Sequence, residues 1–391
     1  MALYVPFLGE PLARGRPVVQ KAALALEPVT ALSRLAERIH ALSERALQPN
    51  PFLLPEFLGP AIEAMGPSSL RFATLTDRND IRFFAPVLVR ATRLTLWTSP
   101  YFPLGAPLIE AETCEQVVET LLEQMRANGR RLLIMPNMPL LGPAAECIRS
   151  VAERTGSTLT AERQARPILR GGGGVAAFDE MVPAKRRRDL ERQLRKLGEA
   201  GGVSHVTATS PSDVDAAFET FLALEASGWK GRRGTALQRG RAARRFATEA
   251  VAGLARKGAV RIDTLRVGEK PAAVLIRFEQ SGLAIPWKIA YDESLAALSP
   301  GKQLMADATR RWLADGVTTR VDPVCEEDNP TVGLLWRHCE PYGTLMVAIA
   351  RWSFEAHLRA SLLDLRMKAK RRVKDLLARR HRKLPPKAAK T

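Results

Sequence analysis

The stretch from residue 288 to residue 303 reads KIAYDESLAALSPGKQ. Its residue pattern predicts the end of a strand, a short loop with a Pro-Gly turn, and a helix that runs from about Gln303 to Ala314. The first turn of a helix has backbone N–H groups without intrahelical partners and a partial positive charge. This strand–loop–helix arrangement therefore favours the binding of a phosphorylated ligand.

Five residues of this stretch are the candidate contacts for such a ligand: Ser299, Pro300, Gly301, Lys302 and Gln303. Gly301 allows close approach of the backbone, and we expect the N–H groups of Lys302 and Gln303 to contact a pyrophosphate. The Lys302 side chain adds a charge-assisted contact. The alternative interpretation is an ordinary helix N-terminus after a Pro-Gly turn.

The elements around this stretch follow a regular order. The pattern predicts a strand (203–208), two helices (212–226 and about 237–257) and three antiparallel strands (260–266, 272–279 and 283–291). After the helix at 303–314 come a strand (319–324), a helix (332–339) and a strand (344–349). A basic helix with leucines on one face precedes this series, at 184–197.

The first part of the chain shows a looser version of the same order. The predicted helices lie at 31–47, 55–65, 112–127 and 143–154, and the predicted strands at 70–76, 81–89, 95–98, 131–135 and 158–165. We therefore predict domains at 1–170 and 171–352 and a helical tail at 353–391. Four glycines at 171–174 indicate a flexible interdomain loop, because the Lys-Ser/Thr of a phosphate-binding loop does not follow them.

Composition narrows the class of protein. The chain has 391 residues, 46% of them hydrophobic, which is enough for two packed domains. It has no apolar run long enough to span a membrane, and residues 1–10 lack the basic and apolar regions of a secretory signal. Four cysteines without C-x-x-C spacing predict neither a disulfide framework nor a structural zinc site. We therefore expect a cytoplasmic protein.

The net charge of +18 is concentrated in the tail. Residues 356–391 contain 13 Lys/Arg and 2 Asp/Glu, a net +11, which leaves +7 for the preceding 355 residues. Residues 356–383 predict a basic helix, with a frayed end from Pro385. Three interpretations stay open: a solvated extension, a peripheral anchor on the anionic inner face of a membrane, and a nucleic-acid contact, which is disfavoured because no aromatic residue interleaves the charges.

Several short stretches resemble one branch of a known superfamily. They are the arginine-rich segment 186–197, LEASGWKG at 224–231, KIAYD at 288–292, SPG at 299–301, Asp322, and in the first part NPF at 50–52 and PLGAPL at 103–108. Most of the chain except the tail, and residues 184–351 above all, is thus similar to the cellulose-biosynthesis-associated (CelD-like) acetyltransferases of the GNAT superfamily. These are distant relatives of the Fem-type peptidoglycan aminoacyltransferases.

The resemblance implies an α/β (α+β) fold: two tandem GNAT-type acyltransferase domains with mixed, mostly antiparallel sheets, plus a basic C-terminal helix. It also implies acyl transfer from acetyl-CoA (acyl-CoA) as a co-substrate, with no permanently bound cofactor. The usual GNAT phosphate loop, Gln/Arg-x-x-Gly-x-Gly/Ala, corresponds here to LSPGKQ at 298–303, which has one glycine. CoA binding therefore follows from position alone, and because Fem-type relatives use aminoacyl-tRNA the donor stays open between the two.

Acyl transfer needs a deprotonated acceptor, a polarised carbonyl and a proton for the leaving group. Asp292, at the end of the central strand, is the candidate base, with an Asx turn as the alternative. Tyr291 is the candidate proton donor, with simple packing as the alternative. Lys288 alternates with Asp292 on one strand face, which suggests a lined cleft or an ion pair.

The remaining candidates lie in two loops. Trp229, Lys230 and Gly231 follow a helix, so that the tryptophan can cover a substrate and the lysine can meet its acidic group; the alternative is a core-capping tryptophan. Glu327 is a candidate base and Asp328 a candidate substrate contact. Carboxylates in a loop without a nearby histidine do not indicate a metal, so none is predicted.

The sequence supports three functions. The first is an N- or O-acyltransferase that acts on a small-molecule or polysaccharide-precursor acceptor, with a link to cellulose or exopolysaccharide synthesis. The second is a non-catalytic accessory protein that keeps the GNAT shell and binds a membrane or a polysaccharide-synthesis complex. The third is a Fem-like transferase that depends on aminoacyl-tRNA.

Overall fold

The computed structural model describes residues 22–199 and 201–383, with side chains described as far as residue 373. The expectations for residues 1–10 and for the end from Pro385 lie outside this range. The strands are β1 (Ala23–Pro28), β2 (Leu70–Asp77), β3 (Asp80–Val89), β4 (Arg93–Leu96), β5 (Leu108–Ile109), β6 (Leu132–Pro139), β7 (Ser157–Pro167), β8 (Leu169–Arg170), β9 (Val203–Ala208), β10 (Val260–Val267), β11 (Lys270–Gln280), β12 (Leu283–Tyr291), β13 (Arg320–Val321) and β14 (Cys339–Ala348). The α-helices are α1 (Leu32–Glu44), α2 (Pro55–Met65), α3 (Cys114–Ala127), α4 (Pro143–Thr155), α5 (Gly174–Met181), α6 (Ala184–Gly198), α7 (Pro211–Ser227), α8 (Trp229–Arg232), α9 (Arg241–Arg256), α10 (Pro300–Ala314) and α11 (Phe354–Lys383).

The described strands form two sheets. The first has the order β1-β2-β3-β4-β6-β14-β7, with β5 paired to β3, and the second has the order β8-β13-β12-β11-β10-β9. Strand pairs are antiparallel except for β4–β6 in the first sheet and β12–β13 in the second. The prediction of mixed, mostly antiparallel sheets is therefore confirmed.

The two sheets share one plan. In the first, β1 is followed by α1 and α2, then by the antiparallel strands β2, β3 and β4, then by α3 and the parallel strand β6. In the second, β9 is followed by α7 and α9, then by the antiparallel strands β10, β11 and β12, then by α10 and the parallel strand β13. This repetition confirms the tandem architecture expected from the order of elements.

Two strands cross between the halves of the chain. Strand β14 lies between β6 and β7 and pairs with both, so the last strand of the sequence completes the first sheet. Strand β8 pairs with β13 at the edge of the second sheet. The domain boundary near residue 170 stays a prediction, and the hydrogen-bonded sheets extend across it in both directions.

The two halves also share one hydrophobic core. Phe52 and Phe57 of the first half pack with Phe246, Phe278 and Trp287 of the second in a single cluster. The ring centroids of Phe52 and Phe278 lie 5.9 Å apart and those of Phe57 and Phe246 lie 5.3 Å apart, both edge-on. Edge-on aromatic pairs at these distances add to the free energy of burial, so the halves stabilise one another.

Local sequence explains two of the element boundaries near the second sheet. Ser210 caps α7 by accepting a hydrogen bond from the Asp213 N–H, and Pro211 takes the first helical position. Strands β11 and β12 are joined through Ser281 and Gly282, both with positive φ, as a two-residue hairpin turn of type I′ requires. This hairpin agrees with the antiparallel strands predicted at 272–279 and 283–291.

One prediction of local structure is wrong. The helix predicted at 332–339 is replaced by turns, because residues from Cys339 onward pair with β7 and the chain must be extended there. His338 and Cys339 therefore lie at the entry to β14 and not on a helix. The glycine run at 171–174 leads directly into α5, with Gly172, Gly173 and Gly174 all at positive φ.

The tail prediction of a basic helix from residue 356 is confirmed by α11, which begins at Phe354. No helix in the described part of the chain is both long enough and apolar enough to cross a bilayer.

Candidate active site

The second sheet opens between its two parallel strands. Strands β12 and β13 pair at only two positions, Leu283 with Arg320 and Ala284 with Val321, and β12 then continues to Tyr291 without that neighbour. The chain leaves β13 through Asp322 and Pro323, and a proline has no N–H with which to continue the ladder. The gap is a cavity of about 540 Å³, lined by β12, by the loop after β13 and by the start of α10.

A β-bulge in β12 sets what faces this cavity. Ile276 pairs with Lys288 and Arg277 pairs with Pro286, so that Trp287 is an additional residue without a partner on β11. The bulge brings Trp287 and Lys288, which are consecutive, to the lining of the same cavity. The Trp287 ring is held by a 2.7 Å hydrogen bond from its Nε1 to the carbonyl oxygen of Tyr101.

Lys288 has the environment of a proton acceptor. Burial, reinforced by the nearby positive charge of Lys230 and opposed by Glu225, lowers the pKa of Lys288 to about 8. Its Nζ lies 5.2 Å from the ring centroid of Tyr101 and 5.1 Å from that of Trp287. A lysine with this pKa is available as a neutral amine near neutral pH, which an ordinary lysine is not.

The cavity is positively charged. Among the described residues, its lining includes Lys230, Lys288 and Lys302 and no carboxylate. Lys230 also binds the buried Glu225, with 2.9 Å between Nζ and Oε1, and the other oxygen of Glu225 accepts the Leu237 N–H. Glu225 thus fixes Lys230 at the wall, and the lining as a whole favours an anionic ligand.

The start of α10 corrects one detail of the sequence interpretation. The N–H groups of Lys302 and Gln303 both donate to the carbonyl oxygen of Ser299, at 2.9 and 3.1 Å. Pro300 has no N–H, so Gly301 supplies the first-turn donor that does not bond to Ser299. Ser299, Gly301 and Lys302 line the cavity. Pro300 is buried, and the Gln303 side chain is buried with its amide donating to the Leu190 carbonyl.

The structure places Tyr291 and Trp229 at the cavity as well. Trp229 is 44% exposed at its rim, and its backbone N–H donates to Glu293, which also pairs with Arg232. Gly231 lies in α8 against the backbone of α7, where a Cβ would come within 1.7 Å of the Ala226 carbonyl oxygen. Its role is therefore close packing of α8 on α7, and it is not among the residues that line the cavity.

The other predicted site residues are not brought to the cavity. Asp292 accepts hydrogen bonds from the Ser294 N–H and hydroxyl at 2.9 and 2.7 Å, which is the Asx-turn alternative. Glu327 and Asp328 line a second cavity, of about 780 Å³, whose opposite wall is α11. The loop between β13 and β14 thus presents Val324 and Cys325 to one cavity and its carboxylates to the other.

Sequence reasoning missed the group that holds this loop in place. Arg166 of β7 makes two 3.2 Å hydrogen bonds from one guanidinium nitrogen to both carboxylate oxygens of Asp322. Its side chain also lies 4.0 Å from the Tyr342 ring centroid and donates to the Pro103 carbonyl. Asp322 in turn accepts the N–H of Val324, a β-branched residue held at a φ of 45°. Such backbone strain in a β-branched residue is characteristic of functional loops.

Cys325 also lines the cavity, and its chemistry differs from that of Lys288. Burial raises the pKa of the Cys325 thiol to about 12, so that it is protonated at neutral pH. A thiol in that state is a poor nucleophile, which argues against a covalent cysteine intermediate in this cavity.

Known proteins supply the context for this geometry. Residues 184–329 match the family described as the acetyltransferase (GNAT) domain, a segment that includes the basic helix, the four antiparallel strands, α10 and the loop after β13. No curated protein matches the chain.

Solved structures agree with the fold at low sequence identity. A conserved protein of unknown function from Bacteroides thetaiotaomicron has a TM-score of 0.52 at 12% identity, covering 84% of this chain and 100% of its own. The C-terminal domain of an Agrobacterium fabrum protein assigned as a lysylphosphatidylglycerol synthetase has a TM-score of 0.52 at 12% identity, covering 85% and 96%. FemX has a TM-score of 0.51 at 7% identity, covering 80% and 96%. The chain thus shares its overall fold with these proteins, and its residues 184–329 match the GNAT acetyltransferase domain.

Proposed function

We propose that the chain transfers an acyl group from acyl-CoA to an amine, with Lys288 as the general base. The observation that carries this proposal is an amine with a pKa of about 8 in a cavity without carboxylates, between splayed parallel strands and beside a helix N-terminus. The splayed strands leave room for an extended ligand, and the lysines and the Gly301 N–H suit the phosphates of CoA.

The reaction can be written with the residues present. Neutral Lys288 takes a proton from the acceptor ammonium, and the amine nitrogen attacks the thioester carbonyl carbon. A carbon–nitrogen bond forms as the carbon–sulfur bond breaks, and the leaving thiolate takes a proton from the hydroxyl of Tyr291, whose ring lies beside Gly301 in the cavity lining. The second proton of the attacking nitrogen then returns to the Tyr291 oxygen, and Lys288 releases the first proton to solvent.

The donor is tested by isothermal titration of the full chain with acetyl-CoA and with CoA. A Cβ at Gly301 would lie 3.3 Å from Cδ1 of Tyr291, so a larger side chain there extends into the donor site. We expect micromolar binding to wild type and at least about a 100-fold loss in Gly301→Leu, since both space and the free N–H become inaccessible.

The control for this titration is Gly240→Leu. Gly240 lies at the N-terminus of another helix, α9, but a Cβ there meets only ordinary van der Waals contacts and the residue does not line the cavity. Equal binding of acetyl-CoA by wild type and Gly301→Leu would contradict the assignment of this loop. Absence of binding to wild type, together with ribonuclease-sensitive activity in an extract, would instead indicate an aminoacyl-tRNA donor.

For the acceptor, we propose an amine on a precursor of cell-surface polysaccharide. Support comes from the resemblance of the segments at 224–231 and 288–301 to the cellulose-associated branch. Release of free CoA, measured with candidate sugar amines, tests this class. If none of these amines raises release above the hydrolysis background, the polysaccharide link is refuted, whereas the donor titration still decides the acyl-CoA assignment.

A further inference from the structure

Helix α11 is attached to the first sheet by one of its faces. Ala356 is fully buried in a cluster with Leu132, Ile134 and Met346, and Ala360 and Leu363 pack against the same cluster. The Asp364 carboxylate accepts the Glu162 N–H at 2.7 Å, which fixes the helix to β7. Positions 356, 360 and 363 are spaced by four and three residues, so these contacts form a single stripe along the helix.

The opposite face of α11 presents apolar side chains to solvent. Phe354 is 65% exposed, Leu358 and Leu362 are each 47% exposed, and Leu365 is 63% exposed. Trp352, which is 66% exposed, contacts the Phe354 ring just before the helix. We call these five residues, together with the exposed Val373, the α11 ridge. A contiguous apolar surface of this kind marks an interaction site.

Basic residues flank the ridge. They are Lys368 and Arg372, which lie three and seven residues after Leu365, whereas Arg366, Lys370 and Arg371 line the second cavity. The two acidic residues in the same stretch already have partners, because Glu355 pairs with Arg359 and Arg93, and Asp364 holds β7. Beside Trp352 lies a depression of about 640 Å³ lined by Arg126, Arg130 and Arg131. The apolar surface therefore has positive charge at both of its ends.

The combination of exposed apolar residues and nearby basic residues distinguishes three kinds of partner. A second copy of α11 packed ridge to ridge would bring Lys368 and Arg372 against the same positive charges, which disfavours self-association. A nucleic acid would engage the charges but leave the leucines in water. An anionic lipid surface accepts the aromatic and aliphatic side chains in its acyl region and the lysines and arginines at its headgroups.

We propose that the α11 ridge docks on the surface of an anionic lipid bilayer, with α11 lying in the plane of the interface. Trp352 and Phe354 enter the headgroup boundary at the start of the helix, and the depression lined by Arg126, Arg130 and Arg131 receives a lipid phosphate. This inference is independent of the proposed acyl transfer, since none of the ridge residues lines the 540 Å³ cavity.

Flotation of the full chain with vesicles tests this surface. We expect the protein to float with vesicles of phosphatidylcholine mixed with phosphatidylglycerol, to float poorly with phosphatidylcholine alone, and to be released by high salt. The double variant L362E/L365E should lower the partition coefficient on the mixed vesicles by at least about tenfold. It removes two leucines from the face of α11 that would enter the bilayer, and it adds negative charge there.

The matched control is L141E/V317E. Leu141 and Val317 are also exposed apolar residues, at 56% and 72%, but they lie away from α11 and the charge change is the same. Its partition coefficient should equal that of wild type, and circular dichroism should show that both variants are folded.

Three results would overturn the proposal. The first is equal flotation of wild type and L362E/L365E. The second is a dimer in light scattering that L362E/L365E dissociates while vesicles are not bound. The third is a mobility shift on RNA or DNA by a protein that does not float with anionic vesicles.

Discussion

Replacement of Lys288 by methionine is expected to lower kcat/KM for acyl transfer by about 100- to 10,000-fold, the range typical for removal of a general base. The variant should stay folded, because methionine has a similar length and removes a positive charge that burial disfavours. Thermal unfolding should therefore show a Tm equal to or above that of wild type. CoA release at fixed donor concentration measures the loss.

Lys288→Arg tests whether Lys288 accepts a proton or only supplies positive charge to the cavity. Arginine keeps the charge in the cavity but does not lose its proton near neutral pH, so it should be as inactive as methionine if Lys288 accepts a proton. If the lysine only attracts the anionic donor, arginine should restore most of the activity. Lys270→Met is a matched control, because Lys270 is an exposed lysine at the start of β11.

The pH dependence gives the same test with the unmodified chain. The pKa of Lys288 is lowered to about 8, first by burial and then by the charge of Lys230. Below that pH the amine is protonated and inactive as a base, and above it the amine is neutral. We therefore expect kcat/KM to rise through about pH 8 and then level off. A profile that is flat between pH 6 and 9, or falls over roughly this range, would contradict the role of Lys288.

The second large effect is expected on stability. Asp322→Ala should lower the free energy of unfolding by about 3–5 kcal/mol, because it leaves the Arg166 charge buried without its partner. Both side chains are only 3% exposed, and they connect β7 of the first sheet to the loop after β13 of the second. The variant also loses the acceptor for the Val324 N–H, which holds a strained residue of the cavity lining. Urea denaturation measures the change.

Two comparisons make this prediction specific. Glu63→Ala breaks the exposed pair of Glu63 with Arg245 and should leave the free energy of unfolding nearly unchanged, because solvent screens an exposed ion pair. The double variant R166M/D322L removes both charges and should recover much of the stability lost in Asp322→Ala. A loss below about 1 kcal/mol in Asp322→Ala would show that the pair does not hold the two sheets together.

The order of elements could be predicted from the sequence, for reasons that are local. The apolar runs of β10, β11 and β12, the turn residues Ser281 and Gly282, and the Pro-Gly start of α10 each act on a few neighbouring positions. The repeated plan of the two halves follows from that order. The helix at 332–339 was predicted wrongly because the pairing of Cys339 with Pro167 of β7 overrides helical periodicity.

For the site, the sequence identified the segment at 288–302 and Trp229–Lys230 but assigned some roles to the wrong side chains. Asp292 was the predicted base because it ends a strand, yet a short Asx turn uses its carboxylate. Lys288 was predicted to share a face with Asp292 by simple alternation. The bulge at Trp287 changes which side chains face the gap between β12 and β13. A bulge arises from the pairing of β12 with β11, so the sequence of β12 alone does not predict it.

The sequence by itself determined most of the secondary structure, the duplicated order of elements and the basic helix of the tail, since each depends on spacing within one segment. Only the tertiary structure decided that β14 completes the first sheet, that Arg166 meets Asp322 across 156 positions, and that Glu327 and Asp328 face α11. It also decided the lowered pKa of Lys288, because burial and the charge of Lys230 come from elements distant in sequence. Contacts of this kind depend on how whole elements pack, and no local pattern records that choice.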